Sequence, residues 1–209
     1  DPVRHDDRAE AAASVLGPKA VGRLVDALLN VGSRLCVDGK YDRAASDTYS
    51  GLQTRIAHVP GTSLVAAVLA RSAQADNAQM ARLASLLSRH PDGETDRGRP
   101  FDTGSLAAIQ GLVEDWGNRM LASGDAERWQ TASIATLASH APSVSLLLIL
   151  KRLLDDNLQR YRAFRDEAKA MGWRQSPAKD EATHPYTGEY QRAFLAIKTP
   201  ETAAMMREY

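Results

Sequence analysis

Two short patterns near residue 180 place reactive side chains at spacings that enzymes use. Ser176 and Lys179 stand three residues apart, as in serine–lysine nucleophile motifs, and Glu181 and His184 form a single Glu-x-x-His pair. A di-iron site needs that pair twice, on helices inside a bundle, and this copy stands alone beside Pro185. The serine–lysine pair lacks the companion motifs of its enzyme class. We interpret both as chance matches, so the sequence predicts no catalytic residue.

Side chains that hold metals or cofactors are few and scattered. Cys36 is the only cysteine, which excludes an intrachain disulfide, and its position near the end of an apolar helix favours a small buried side chain. No two of the five histidines stand at a metal-ligand spacing. Phosphate-binding glycine motifs and the nucleophile elbow do not occur in the sequence. We therefore expect neither a metal nor a cofactor.

A basic patch on a long predicted helix is the strongest binding candidate. The patch consists of Arg160, Arg162, Arg165 and Lys169. Asp156 precedes Arg160 by four residues and Asp166 follows Arg162 by four, so a solvated, self-paired helix face is the competing interpretation. The functional interpretation of the patch is a contact with an anion or an acidic partner.

Trp173 extends this candidate past the end of the same predicted helix. It follows Gly172, a natural helix cap, and precedes Arg174. A tryptophan beside a cation is typical of a surface anchor for a protein partner. The alternative is that the indole packs the turn back onto the preceding helix.

Charge and hydropathy exclude several functional classes. The 209 residues include 26 Lys and Arg against 26 Asp and Glu, so the formal net charge is zero. Phosphate affinity needs excess positive charge, and we expect no specific nucleic-acid partner. The longest purely apolar runs, residues 64–70 and 146–150, are far below the roughly 20 residues of a membrane span, so we expect no membrane insertion.

Helical periodicity dominates the chain, and strand-like alternation is almost absent. We predict an all-α protein with N-terminal helical repeats over 1–90 and C-terminal repeats over 103–209, including a long helix near 142–171. Between them, residues 91–102 are predicted to form an exposed charged loop, because two prolines, two glycines and five charges fall within 90–100. Since the chain begins at Asp1, we expect a fragment of a longer protein, with removal of a signal peptide as the alternative. We expect a cytoplasmic location, with a periplasmic one as the alternative.

An internal repeat suggests how the helices are arranged. Apolar residues of the helix at 18–30 superpose on those at 143–155 with an offset of 125 residues, about three units of 42. An Ala-rich helix, a corner ending at Pro18 or Pro142, and a helix such as residues 20–30 (AVGRLVDALLN) together resemble the HEAT-repeat family. The resemblance implies antiparallel helix pairs stacked as a short, irregular HEAT-like α-solenoid. The charged loop and the long helix depart from a standard repeat.

The resemblance implies a non-catalytic protein-interaction or scaffold module with a protein or peptide partner. A HEAT-like DNA-binding or DNA-glycosylase-type enzyme is one alternative, and the zero net charge argues against it. A structural or oligomerising subunit is the other. The sequence leaves the oligomeric state open.

Overall fold

The computed structural model describes residues 15–38, 40–89, 99, 101–170 and 187–208. Within these ranges the protein is all-α, as predicted, apart from a short hairpin of β1 (Cys36–Val37) and β2 (Lys40–Tyr41). A single 3₁₀ turn, Val144–Leu146, precedes one helix. The α-helices are α1 (Pro18–Gly32), α2 (Arg43–Ala57), α3 (Gly61–Ser72), α4 (Asn77–Ser88), α5 (Thr103–Ser123), α6 (Arg128–His140), α7 (Leu147–Ala170), α8 (Thr187–Ile197) and α9 (Pro200–Glu208).

The helices stack in two layers. In the first layer, α1, α3, α5 and α7 each pack against the next member of that series. In the second layer, α2, α4, α6 and α8 do the same, and each second-layer helix also contacts the first-layer helix that precedes it. The last helix, α9, packs against α8. Consecutive helices therefore form packed pairs, and the pairs stack side by side.

The first layer is regular in sequence as well as in space. Its helices begin at residues 18, 61, 103 and 147, so the intervals are 43, 42 and 44 residues. Three of the five superposed apolar positions share the same burial, because Val21, Val25 and Leu28 are fully buried and so are Leu146, Leu150 and Leu153. A repeated burial pattern is expected when each unit buries one face against its neighbour.

Arginine side chains fasten successive first-layer helices together. Arg71 of α3 donates from Nη2 to the carbonyl of Gly22 in α1 at 2.8 Å. Arg119 of α5 donates from Nη1 to the carbonyl of Ser72, the last residue of α3, at 2.7 Å. Arg160 of α7 donates from Nη2 to the carbonyl of Gly124 just after α5, also at 2.8 Å. Because helix C-termini leave carbonyls without intrahelical partners, two of these arginines satisfy acceptors at helix ends.

The long helix predicted near 142–171 is present as α7, which spans 24 residues. The helix runs without interruption through Asp155–Asp156–Asn157, three residues with low helix propensity. Two ion pairs at i,i+4 spacing support it there: Lys151 with Asp155 at 3.2 Å and Arg160 with Asp156 at 2.9 Å.

The expectation of an exposed loop over 91–102 is wrong at Arg99, while residues 91–98 and 100 lie outside the described residues. Arg99 is 4% exposed, and its guanidinium donates to three carbonyls at the end of α2. Phe101 is half-buried against the core, and Asp102 caps α5 by accepting from the Ser105 backbone N–H at 2.9 Å.

The expectation of a buried Cys36 is also wrong. α1 ends at Gly32, so Cys36 lies beyond the helix in the β1–β2 hairpin, where it is exposed. Tyr41 in the same hairpin is 68% exposed and precedes α2, which begins at Arg43. Of the N-terminal repeats predicted over 1–90, residues 1–14 lie outside the described residues. No helix in the described part of the chain has both the length and the apolar character needed to cross a membrane.

Candidate functional site

The basic patch predicted from the sequence lies on the second half of α7, where its members have different surroundings. Arg160 is engaged in the fold: its guanidinium donates to the carbonyls of Gly124 and Ala126 and pairs with Asp156. Arg165 is half-buried. Arg160 therefore anchors α7 to the α5–α6 turn, and the patch is not a uniform row of free cations.

The other two members of the patch are exposed. Arg162 and Lys169 are exposed, and among the described residues no ion pair joins Arg162 to Asp166. Trp173 lies outside the described residues, as do Ser176, Lys179, Glu181 and His184. Partner binding by the α7 patch therefore stays a prediction. Across the described ranges, no group of three or more His, Cys, Asp or Glu side chains converges as a metal site.

A second basic surface, which the sequence did not reveal, lies on the second layer. We call it the second-layer face. It crosses the helices α2, α4 and α6, and all of its members are half-buried. The second-layer face consists of Tyr49, Gln53, Arg82, Ser85, Arg89, Trp129 and Ser133.

Arg82 is the central residue of this face. Its guanidinium carbon lies 5.9 Å from the ring centre of Trp129 on the neighbouring helix α6, which is a cation–π contact. On its other side are Tyr49 of α2 and Gly32, the last residue of α1. A Cβ atom at Gly32 would lie 2.7 Å from Arg82 Nε, so the missing side chain is what allows the arginine to pass. Arg82 is thus positioned by three helices.

Arg89 lies two turns further along α4, just past its last residue. Its Nη1 donates to Oε1 of Gln53 on α2 at 3.1 Å. Burial raises the pKa of the Tyr49 hydroxyl, and the positive charges of Arg82 and Arg89 oppose that rise. Both guanidinium groups therefore lie close enough to Tyr49 for their fields to act on the same side chain.

Hydroxyl groups join the two central helices of the face. Ser85 of α4 donates to the hydroxyl of Ser133 on α6 at 3.4 Å, and Ser133 in turn donates to the carbonyl of Trp129 at 2.9 Å. The indole N–H of Trp129 donates to Oε2 of Glu127 at 2.8 Å. These contacts fix the aromatic ring against which Arg82 rests.

Arg128 continues the basic character toward α7. Its guanidinium carbon lies 5.3 Å from the ring centre of Tyr161 and 5.7 Å from that of Phe164. Its Nη1 is buried and has no hydrogen-bond partner among the described residues, and the same holds for Nε of Arg165, one residue after Phe164. This is the point at which the second-layer face approaches the patch predicted from the sequence.

The second-layer face carries positive charge and contains no carboxylate. Neither α4 nor α6 contains an Asp or Glu. Among the residues that the structure describes, no carboxylate lies within ion-pair distance of Arg82, Arg89 or Arg128. Several first-layer arginines, in contrast, have carboxylate partners. These pairs are Asp26–Arg71, Asp115–Arg119 and Asp156–Arg160. The second layer therefore presents arginines that no described carboxylate neutralises.

Sequence reasoning missed this face because its residues come from three separate helices. Within α4 alone, the half-buried positions look like the narrow polar edge of a buried helix. The available signal was the absence of Asp and Glu from 77–89 and 128–140, combined with two arginines seven residues apart.

The chain matches no protein-family model, and the comparisons with curated proteins and with solved structures found no significant similarity.

Proposed function

We propose that this chain is a non-catalytic protein-interaction module of HEAT-like type and that the second-layer face is its binding surface. One observation carries the proposal: three successive second-layer helices present half-buried arginine, aromatic, amide and hydroxyl side chains side by side, with Arg82 and Arg89 lacking a carboxylate partner among the described residues. The HEAT-like assignment is supported by the first-layer intervals of 42 to 44 residues and by the helix motif at 20–30.

The architecture suits such a function for a physical reason. In a stack of helix pairs, each unit contacts only its neighbours, so equivalent side chains from successive units form one extended surface. Arginine, tryptophan and tyrosine are the residues that contribute most to protein interfaces, because they combine a large contact area with directed hydrogen bonds. Partial burial in the free protein also lowers the entropy cost of ordering these side chains on binding.

Peptide selection tests this proposal without a known partner. A random peptide library is selected against the wild-type chain, and enriched peptides are then measured against two double variants. Arg82→Gln/Arg89→Gln removes two charges from the second-layer face, and Arg23→Gln/Arg152→Gln removes two exposed charges from the first layer. We expect enriched peptides whose affinity falls at least about tenfold for the first variant and stays within about twofold for the control.

Two results would contradict the proposal. The first is a selection that enriches no peptide. The second is a set of peptides whose affinity is the same for wild type and for R82Q/R89Q, because binding would then occur elsewhere on the chain. Circular dichroism of both variants confirms that their helical content is retained.

A further inference from the structure

We infer that the second-layer face binds an extended acidic peptide segment with two carboxylates three residues apart, one on Arg82 and one on Arg89. This inference rests on the proposed function and specifies the chemistry of the partner. It follows from the charge of the face, from the spacing of its two arginines and from the way the fold holds them in place.

Charge complementarity identifies the partner as an anion. Arg82 and Arg89 are half-buried, and no carboxylate of the described residues neutralises either of them. Arginine presents a planar fork that matches a carboxylate in two parallel hydrogen bonds, and such charge-assisted bonds are about twice as strong as neutral ones. An acidic side chain docking here would gain these bonds while displacing water from cations that are already partly desolvated.

The spacing of the two arginines fits an extended segment. Arg82 and Arg89 are seven residues apart, so their backbones are separated by about 10 Å along α4. A peptide in the polyproline II conformation advances about 3.1 Å per residue and returns to the same side every third residue. Acidic residues at positions i and i+3 would then lie about 9 Å apart and point the same way. A Glu-x-x-Glu segment therefore matches the backbone separation of the two arginines.

Contacts with neighbouring side chains restrict the conformations of the two arginines before a ligand binds. The stacking of Arg82 on Trp129 and the hydrogen bond from Arg89 to Gln53 restrict both side chains in the free protein. Because less side-chain freedom is lost on binding, more of the interaction free energy appears as affinity. Ser85 and Ser133 lie on the same face, and their hydroxyl oxygens offer acceptors for backbone N–H groups of the peptide.

Single-stranded nucleic acid fits this face less well than an acidic peptide. Binding of a single strand relies on bases stacking on open aromatic faces along a strongly basic groove. The ring of Trp129 is already covered by Arg82, and its N–H is held by Glu127. The chain as a whole has no excess positive charge.

Fluorescence anisotropy with labelled peptides of about twelve residues tests the inference. The probes are a Pro-rich peptide carrying Glu-x-x-Glu, the same peptide with Gln at both positions, one with adjacent Glu residues, and a single-stranded oligo-dT. We expect the Glu-x-x-Glu peptide to bind wild type at least about tenfold more tightly than the Gln peptide. R82Q/R89Q is expected to remove this preference, and the control R23Q/R152Q to keep it. Should R82Q/R89Q lose helical content, Arg89→Gln alone is expected to reduce the preference at least about threefold.

Each contrary outcome has a distinct meaning. Equal binding of the Glu and Gln peptides, or an equal loss in R23Q/R152Q, overturns the acidic-segment inference. If the library-derived peptides still require Arg82 and Arg89 in that case, the interaction module stands and only the chemistry of its partner is wrong. Equal binding of the adjacent-Glu peptide overturns the spacing argument. Tighter binding of oligo-dT, lost in R82Q/R89Q, overturns the inference in favour of a nucleic-acid surface.

Discussion

Arg99 lies just before α5 in the sequence, yet its guanidinium group binds backbone carbonyls at the end of α2. It donates to the carbonyls of Val59, Ile56 and Ala57 at 2.5, 3.1 and 2.6 Å. Burial lowers its pKa to about 10, so it stays charged at neutral pH. The arginines of the second-layer face are different, because Arg82 and Arg89 have contacts that hold them in place but no carboxylate among the described residues. The same residue type thus has a structural role in one place and a proposed binding role in another.

Arg99→Ala is expected to lower the free energy of unfolding by about 1–3 kcal/mol, because it leaves buried helix-end carbonyls without donors. The free energy of unfolding of Arg99→Lys should lie between those of wild type and Arg99→Ala, since an ammonium keeps the charge but cannot reproduce the planar fork. Urea unfolding followed by circular dichroism measures both. Arg152→Ala, at an exposed position of α7, is the control and should change stability by less than about 0.5 kcal/mol. An Arg99→Ala variant as stable as this control would show that the three contacts contribute nothing.

His140, the last residue of α6, makes stability depend on pH. Burial lowers the pKa of its imidazole below 6.5, and the nearby charge of Arg192 on α8 lowers it further. The unfolded chain therefore binds this proton more readily than the folded one, so stability decreases as the pH falls below about 6.5. Urea midpoints at about pH 7.5 and about pH 5.5 should differ less for His140→Gln than for wild type. An identical difference in both proteins would contradict this sign.

At the scale of the elements, close contact between α5 and α7 depends on Gly117. A Cβ atom there would lie 2.8 Å from Cγ1 of Ile149 and 3.3 Å from Cδ1 of Leu153. Gly111 lies on the same helix, where a Cβ atom would meet nothing within 4 Å. An alanine substitution at Gly117 therefore reports the cost of crowding the interface between α5 and α7. The same substitution at Gly111 reports the gain in helix propensity alone.

Gly117→Ala is expected to destabilise the protein by about 1–3 kcal/mol through overpacking, despite the better helix propensity of alanine. Gly111→Ala should instead stabilise it by up to about 1 kcal/mol, because it gains that propensity without a clash. Urea midpoints of the two variants provide the measurement. Equal shifts in the same direction would show that α5 and α7 do not pack as described.

At the scale of the whole molecule, local sequence patterns predicted most of the architecture. Helix positions followed from apolar residues at three- and four-residue spacing, since burial of one face sets the period of an amphipathic helix. The repeat interval of about 42 residues agrees with the spacing of the first-layer helices. A simpler signal lies in the prolines that precede or open these helices. They are Pro18, Pro60, Pro100 and Pro142, at intervals of 42, 40 and 42 residues.

What the sequence did not predict depends on contacts between distant segments. Arg99 sits in a stretch whose composition favours exposure, and only the approach of the end of α2 buries it. Cys36 follows an apolar helix in sequence, but the helix ends too early to bury it. The second-layer face requires the register between parallel helices, which places Ser85 beside Ser133 and Arg82 beside Trp129. The periodicity within a single helix does not predict the register between two helices.

Charge reversal on the second-layer face is the most direct test of the proposed binding surface. In Arg82→Glu/Arg89→Glu, the Glu-x-x-Glu peptide should lose at least about tenfold in affinity, and a matched Lys-x-x-Lys peptide should bind this variant at least about tenfold more tightly than it binds wild type. Arg23→Glu/Arg152→Glu, which makes the same charge change on the first layer, should leave both affinities within about twofold of wild type. Unchanged affinities for both peptides in a folded R82E/R89E variant would contradict the assignment of the second layer as the binding surface.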